Sequence, residues 1–464
     1  MKRLSLLLSL VLTACGGGGG NTPTVSVQAV TPSTVTLKPE CTNPHTDKTY
    51  PNEFTGKYNV PTVTDSLSSN VTRSVGLKDY KPTGNVTWSV FQTTNNPCKG
   101  DEYTKILYRD SLDKLQQLGV DNVWVYISGV WTVDPTLPYW LQKPENLGYS
   151  QELLTYLATE AKKRNIKLSL SWQMNMLDDK GNFLWQLGDS LDKKLWETIL
   201  ASHKKNMIEL AKFSETIGVT RIGADWNAMH IGNLHDPTMQ EMYVEEIVST
   251  IDEMRKVYTG KITWGQHVQP WHDYRIIDKV DAIHIGVIPK ISADKMINFN
   301  SETVMVEALK ELYRAYQDFH CIYPSQNYCT MSRSGKDIPV IFEVAVQSRD
   351  KYFQEGWVED GFCIKGIANN VKLDCVQTTY VTDFSLQAVG IDGILKAIKS
   401  QTYFKVEQVN FHSSYWHTDT LKPSTGYVNT SNGIQEDGEG FPNISQSIRG
   451  KPAETVVKQW FKRS

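Results

Sequence analysis

Two apolar runs in this chain end in a carboxylate: Ile222-Gly223-Ala224-Asp225 and Ile341-Phe342-Glu343. Each follows a segment with helical spacing. Each therefore reads as a buried strand that delivers one acid to a shared rim. Two such acids can do complementary work at an acetal carbon. One protonates a departing oxygen, and the other supplies negative charge or a covalent bond. This is the minimum equipment for cleaving a glycosidic bond. A Glu at the end of an apolar strand is costly to bury unless it is paired or used. The competing reading of Glu343 is a structural ion pair inside a barrel mouth. Asp225 could equally start a loop or cap a helix. To act as an acid it needs its pKa raised by burial or by Glu343. Asp236 and Glu355, in neighbouring rim loops, are back-up acids.

The residues around these strand ends suit a sugar. Thirteen tryptophans is a high count. Trp172, Trp226, Trp264, Trp271 and Trp416 fall at or just beyond strand ends, where sugar rings could stack on them. Trp88 and Trp124 fall inside strands and read as core. His267, His272 and His284 lie near the fifth and sixth strands, where a neutral imidazole can bond a sugar hydroxyl or orient a carboxylate. Gln173, Asn175, Asn227 and His412 are polar contacts at the ends of the third, fourth and eighth strands. Each could instead be a satisfied loop residue. No metal or other cofactor is expected. There is no CxxC pair and no His at ligand spacing. The absence of a GxSxG elbow, a P-loop and HExxH removes serine-hydrolase, nucleotide-hydrolase and zincin readings.

The positioning elements alternate in type. Strand-like runs fall at Val86–Phe91, Asn122–Ile127, Lys167–Trp172, Thr220–Asp225, Ile262–Gln266, Ala282–Ile285, Val340–Val344 and Gln408–His412. Helical spacing falls at Tyr103–Leu118, Gln151–Arg164, Lys193–Ile217, Met239–Tyr258, Glu302–Gln317, Thr382–Ser400 and Ala453–Lys462. Eight strands alternating with seven helices over about 380 residues predict an α/β fold, a (β/α)8 TIM barrel with long loops at its C-terminal face. A doubly wound open sheet is the alternative. It lacks support, because no GxGxxG follows the first strand.

The N-terminus reads as an export signal. Lys2 and Arg3 precede an apolar core, Leu4 to Leu12, that is too short to span a membrane. Leu12-Thr13-Ala14-Cys15 resembles a bacterial lipobox, which implies lipidation of Cys15. The bland alternative is an ordinary cleaved signal. By resemblance to sorted lipoproteins, Gly rather than Asp after the Cys favours the outer membrane. The expected organisation is a signal at 1–15, a Gly/Thr/Pro tether at 16–40, an irregular extension at 41–84 and the barrel domain at 85–464. Lys+Arg (48) and Asp+Glu (51) nearly cancel, and no long basic run exists, so nucleic acid is not an expected partner. Seven cysteines, less the lipidated one, leave six for an oxidising compartment. Close spacing favours Cys321 with Cys329 and Cys363 with Cys375, leaving Cys41 with Cys98. Oligomeric state is not legible.

Three stretches then carry a resemblance. The first runs from Trp196 through Ala211 to Ile222-Gly223-Ala224-Asp225. The second is Arg255 to Trp264, followed by Val280-Asp281-Ala282-Ile283-His284-Ile285-Gly286. The third is Gly450-Lys451-Pro452 through Trp460-Phe461. In their order and spacing the chain resembles clan A (β/α)8 glycoside hydrolases, and is most similar to glycoside hydrolase family 113. The resemblance implies a nucleophile at Glu343 and an acid/base at the end of the fourth strand. It also implies an aromatic sugar platform at Tyr415-Trp416. The family has Glu where this chain has Asp225, and many members have Asn where it has Ala224. The shorter side chain sets its carboxylate back by roughly 1.5 Å. Retaining enzymes hold their acids about 5–5.5 Å apart and inverting ones about 6.5–9.5 Å. The expected function is a surface-anchored hydrolase of a β-linked poly- or oligosaccharide, held on a lipid bilayer by its N-terminus. The departure at Asp225 motivates the rival, a carbohydrate-binding lipoprotein on the same barrel that has lost catalysis. A structural envelope protein is a third reading.

Overall fold

The computed structural model describes residues 56, 58–77, 100–132, 150–177, 193–224, 236–264, 274–287, 291–292, 295–296, 301–319, 338–355, 364–368, 371–373, 383–402, 404–415, 427–429, 434–436 and 446–463, all within the compact unit Pro39–Ser464. Eight strands close into a parallel barrel. They are β1 (Thr72–Leu77), β2 (Asn122–Thr132), β3 (Lys167–Leu177), β4 (Arg221–Gly223), β5 (Lys261–Trp264), β6 (Ala282–Val287), β7 (Val340–Val344) and β8 (Val406–Tyr415). Each pairs with its neighbour in sequence, and β8 closes on β1. The expected fold class is the observed one.

The start of the barrel differs from the sequence expectation. The first strand is Thr72–Leu77, inside the stretch expected to be an irregular extension, so the barrel begins before residue 85. The expected strand Val86–Phe91 lies outside the described residues, as do the signal, the tether and all seven cysteines. Arg73 and Ser74 interrupt the apolar pattern of the true strand, yet both are buried. Arg73 reaches the Leu67 carbonyl at 3.1 Å and stands 3.5 Å from Asp121, so its charge is satisfied at the barrel floor.

The helices are α1 (Gly100–Leu118), α2 (Gln151–Lys163), α3 (Lys193–Ile217), α4 (Pro237–Arg255), the single turn α5 (Tyr274–Ile277), α6 (Ser301–Phe319), the single turn α7 (Tyr352–Glu355), α8 (Phe384–Ser400) and α9 (Pro452–Trp460). Local chemistry sets their ends. Ser150 caps α2 by accepting from the Leu153 amide, and Lys162 and Lys163 complement the dipole in its last turn. The buried stripe Leu153, Leu154, Leu157, Ala158 and Ala161 turns α2 onto the sheet. α1 stops at Gly119, whose φ of +87° suits glycine, and a Cβ there would sit 2.9 Å from the Phe461 carbonyl oxygen. Among the described residues no helix is long and apolar enough to cross a membrane.

Two features shape the C-terminal face. β2 and β3 stay paired from Asn122↔Lys167 to Thr132↔Leu177, whereas β4 stops pairing β3 at Ser171↔Gly223. The β2–β3 ribbon therefore runs on past the end of β4. A separate antiparallel sheet takes two short strands from the segment after β7 and two from the segment after β8. It pairs Tyr427–Asn429, Ile434–Glu436, Ile364–Ala368 and Val371–Leu373 in that order.

Candidate active site

The strand parity that makes the barrel also makes the site. On β7, Phe342 packs outward on Phe404, with ring centroids 5.5 Å apart. Its neighbours Ile341 and Glu343 therefore point inward. Ile341 joins Trp124 of β2 and Ala282 of β6 in a buried cluster across the barrel, with Tyr126 packed against it. Glu343 stands one inward position nearer the C-terminal rim, and only 7% of it is exposed.

Three strands supply hydrogen-bonding groups to this carboxylate. The Tyr126 hydroxyl of β2 donates to Oε1 at 2.8 Å. His284 of β6 places Nδ1 at 3.0 Å from the same oxygen. His412 of β8 places Nδ1 at 3.3 Å from Oε2 and at 2.9 Å from the Tyr126 hydroxyl. Asn410, opposite Glu343 in the β8–β7 register, holds its amide nitrogen 3.0 Å from the Tyr126 hydroxyl and 3.5 Å from Oε1. Burial raises the Glu343 pKa. The positive potential of His412 and the hydrogen bonds from His284 and His412 outweigh it and hold the carboxyl well below its usual value. The side chain is an ionised carboxylate at neutral pH.

Each partner is itself fixed. His284 is buried, and its Nε2 lies 3.1 Å from the Thr263 hydroxyl of β5. With that hydroxyl donating to Nε2, Nδ1 carries the hydrogen and donates to Glu343. Trp124 stacks its edge on His284 at 4.6 Å and anchors its own indole N–H on Ser171 at 2.9 Å.

Several sequence expectations change here. His284 has both ring nitrogens engaged inside the protein, so it orients the carboxylate rather than touching sugar. Tyr415 is fully buried, donates to Glu454 at 2.8 Å and lies under Arg449. It has no free face for a sugar ring. Trp264 is buried and packs as core rather than on the rim. Asp236 caps α4 by accepting from the Thr238 amide, and Glu355 pairs with the buried Arg349 at 3.0 Å. Both back-up acids are thus structural. Trp124 is core, as expected. Trp172, Gln173 and Asn175 lie on the part of β3 that runs past β4. Asp225, Trp226, Asn227, His267, Trp271 and Trp416 lie outside the described residues.

Tyr126 and Asn410 were not singled out from sequence. The signal was present as alternation. In Gln408-Val409-Asn410-Phe411-His412 and in Asn122-Val123-Trp124-Val125-Tyr126, every second residue is polar or aromatic, on the same inward parity as Glu343. Among the described residues no group of three or more acidic, His or Cys side chains is arranged to hold a metal ion.

No protein-family model and no curated protein matches the chain. Solved structures do. A GH113 β-1,4-mannanase in a complex superposes with a TM-score of 0.50 at 13% identity, covering 85% of this chain and 98% of that one. A second GH113 β-1,4-mannanase gives 0.50 at 14% identity, covering 85% and 99%. A GH113 β-mannanase from Alicyclobacillus acidocaldarius gives 0.48 at 17% identity, covering 84% and 96%. The likeness is one of fold: this chain has the (β/α)8 architecture of those clan A enzymes.

Proposed function

We propose that this chain is a retaining glycoside hydrolase acting on a β-linked poly- or oligosaccharide. The observation that carries the reading is Glu343, a buried carboxylate kept ionised inside the barrel at the C-terminal end of β7. A carboxylate that costly to desolvate is expected where negative charge is used. Barrel enzymes work at this face of the barrel.

In the proposed reaction a Glu343 oxygen attacks the anomeric carbon. The bond to the leaving oxygen breaks as Asp225 gives that oxygen its proton. A glycosyl ester on Glu343 results. Water then attacks the same carbon, Asp225 takes its proton, and the ester opens to restore Glu343. Tyr126, His284 and His412 hold the nucleophile before attack and receive the carboxylate back afterwards. β-1,4-Mannan heads the substrate panel, because two of the similar solved structures are named β-1,4-mannanases.

The test is release of reducing ends from a panel of β-glycans. Wild type is run beside Glu343→Gln and Asp225→Asn, and the anomer formed first is read by NMR. The expectation is near-complete loss in the first variant, a large loss in the second, and retention of configuration. Undiminished activity in Glu343→Gln sinks the assignment. Binding without turnover in wild type makes the chain a carbohydrate-binding protein instead.

We also propose that Cys15 carries a lipid anchor that fixes the enzyme to the outer membrane. Support comes from Lys2-Arg3, the apolar core and Leu12-Thr13-Ala14-Cys15. Cys15→Ala should move the protein from the membrane to the soluble fraction. A variant that stays with the membrane removes this part of the proposal.

A further inference from the structure

The interior of this barrel is unusually polar for a site that aliphatic side chains commonly fill. Ser169 of β3, Asn122 of β2, Ser74 of β1 and Asn410 of β8 are all buried, and they are bonded in series. The distances are 2.9 Å from Ser169 to Asn122, 2.8 Å from Asn122 to Ser74, and 2.8 Å from Ser74 to Asn410. From Asn410 the series reaches Tyr126 and Glu343. The bonds cross five strands, β3, β2, β1, β8 and β7.

The direction of every bond is forced from the Glu343 end. An ionised carboxylate only accepts. Tyr126 therefore spends its single hydroxyl hydrogen on Oε1 and must accept from Asn410. The Asn410 amide accordingly presents Nδ2 to Tyr126 and Glu343, and its Oδ1 faces Ser74. Ser74 spends its one hydrogen on that oxygen, so it accepts from Nδ2 of Asn122. The oxygen of Asn122 then accepts from Ser169. All the bond dipoles turn their positive ends toward Glu343, and such chains strengthen one another. Asn410 is thus held from both ends, its Nδ2 by Tyr126 and Glu343 and its Oδ1 by the Ser74 hydroxyl. The flipped amide would offer Tyr126 an oxygen, and the hydroxyl would donate there instead of to Glu343.

We propose that Ser74 is a positioning residue for Glu343, acting through the Asn410 amide, whose oxygen end it anchors in the orientation that lets Tyr126 donate to the nucleophile. Asn122 and Ser169 support it from further along the series. This inference rests on Glu343 being the nucleophile of the proposed reaction. The titratable groups facing Glu343 among the described residues are Tyr126 of β2, His284 of β6 and His412 of β8. None of them touches Ser74 directly in the bonds above, so Ser74 acts on the carboxylate through neutral groups.

The experiment is the pH profile of kcat/KM for Ser74→Ala, Ser74→Thr and Ser169→Ala. Ser74→Ala removes the donor that anchors Asn410 Oδ1. Its acid limb should move to higher pH, because Glu343 loses a proton donor and becomes easier to protonate. Its kcat/KM near neutrality should fall by up to about tenfold, the scale of one hydrogen bond. Ser74→Thr keeps the hydroxyl and should restore the wild-type limb. Ser169→Ala should shift it in the same direction by less. A folded Ser74→Ala with the wild-type limb overturns the proposal. So does a Ser74→Thr protein with the Ser74→Ala limb. If Ser74→Thr does not fold, the graded order of Ser74→Ala over Ser169→Ala decides, and equal shifts overturn the proposal. Failure of the hydrolase reading is separately visible, as a wild type inert on every glycan or a Glu343→Gln protein that is still active. In either event the ¹³C carboxyl titration of Glu343, the resonance missing from Glu343→Gln, compares wild type with Ser74→Ala without substrate. An unchanged titration overturns the positioning role by itself.

Discussion

A carboxyl group enclosed by protein tends to keep its proton, since burial penalises charge. Glu343 is ionised because four side chains from three strands converge on it, and Tyr126 makes the shortest contact, 2.8 Å. The phenol is also the meeting point of the site. It takes the Asn410 amide at 3.0 Å and lies 2.9 Å from His412 Nδ1. Tyr126→Phe keeps the ring against the Trp124 cluster and removes only the hydroxyl. A hydrogen bond to a charged group contributes about 1.5–3 kcal/mol. kcat/KM should therefore fall on the order of 10- to 100-fold, most of it in kcat, with the acid limb moved to higher pH. A loss confined to KM would reassign Tyr126 from the nucleophile to substrate contact.

At the scale of elements, legibility followed the length and purity of each pattern. α3 and β7 have the bounds that their sequence predicts, Lys193–Ile217 and Val340–Val344. The first is a long 3.6-residue repeat closed by Gly218, whose φ is +74°. The second is an apolar run too short and too branched to be a helix. β1 was missed for the opposite reason. Thr-Arg-Ser-Val-Gly-Leu carries two buried polar residues whose partners are remote. Arg73 bonds to the Lys462 carbonyl, 389 positions away, and Ser74 to Asn410, 336 positions away. No local window contains the reason those residues are inside. The same holds for the site. Glu343 was readable because it ends an apolar run. Tyr126 and Asn410 become partners of that acid only when β2, β7 and β8 share one barrel wall. The extension of β2 and β3 beyond β4 was also unread, because Trp172 to Leu177 looks like loop composition until its pairing with Ile127 to Thr132 is known.

The whole barrel is polarised along its axis. The C-terminal end holds the ionised Glu343, and the neutral series leads from it down to Ser74 and Asn122 near the starts of β1 and β2. The N-terminal face is tied by charge. Glu407 of β8 binds Arg221 of β4 and, at 2.7 Å, Lys261 of β5. Asp121 before β2 takes Arg73, at 3.5 Å, and Arg463 near the C-terminus. Burial raises the Glu407 pKa, but Arg221 and Lys261 pull it below its usual value. Glu343 is depressed further, against a greater burial cost, by His412 and His284. A carboxyl group whose pKa falls on folding binds its proton more weakly in the folded chain. The stability it contributes is fully present above the unfolded value, about 4.3 for Glu. It is lost as pH falls through the depressed folded value. Acid should therefore lower the Tm of this protein below roughly pH 4.3. Glu343→Gln cannot titrate there, so the wild type must lose stability that the variant keeps. The Tm of wild type minus that of Glu343→Gln should decline steadily on acidification, whatever its sign at neutrality, in calorimetry at fixed ionic strength. A difference that stays constant through this range would mean that Glu343 binds its proton equally well folded and unfolded, and the histidine-held carboxylate would be lost with it.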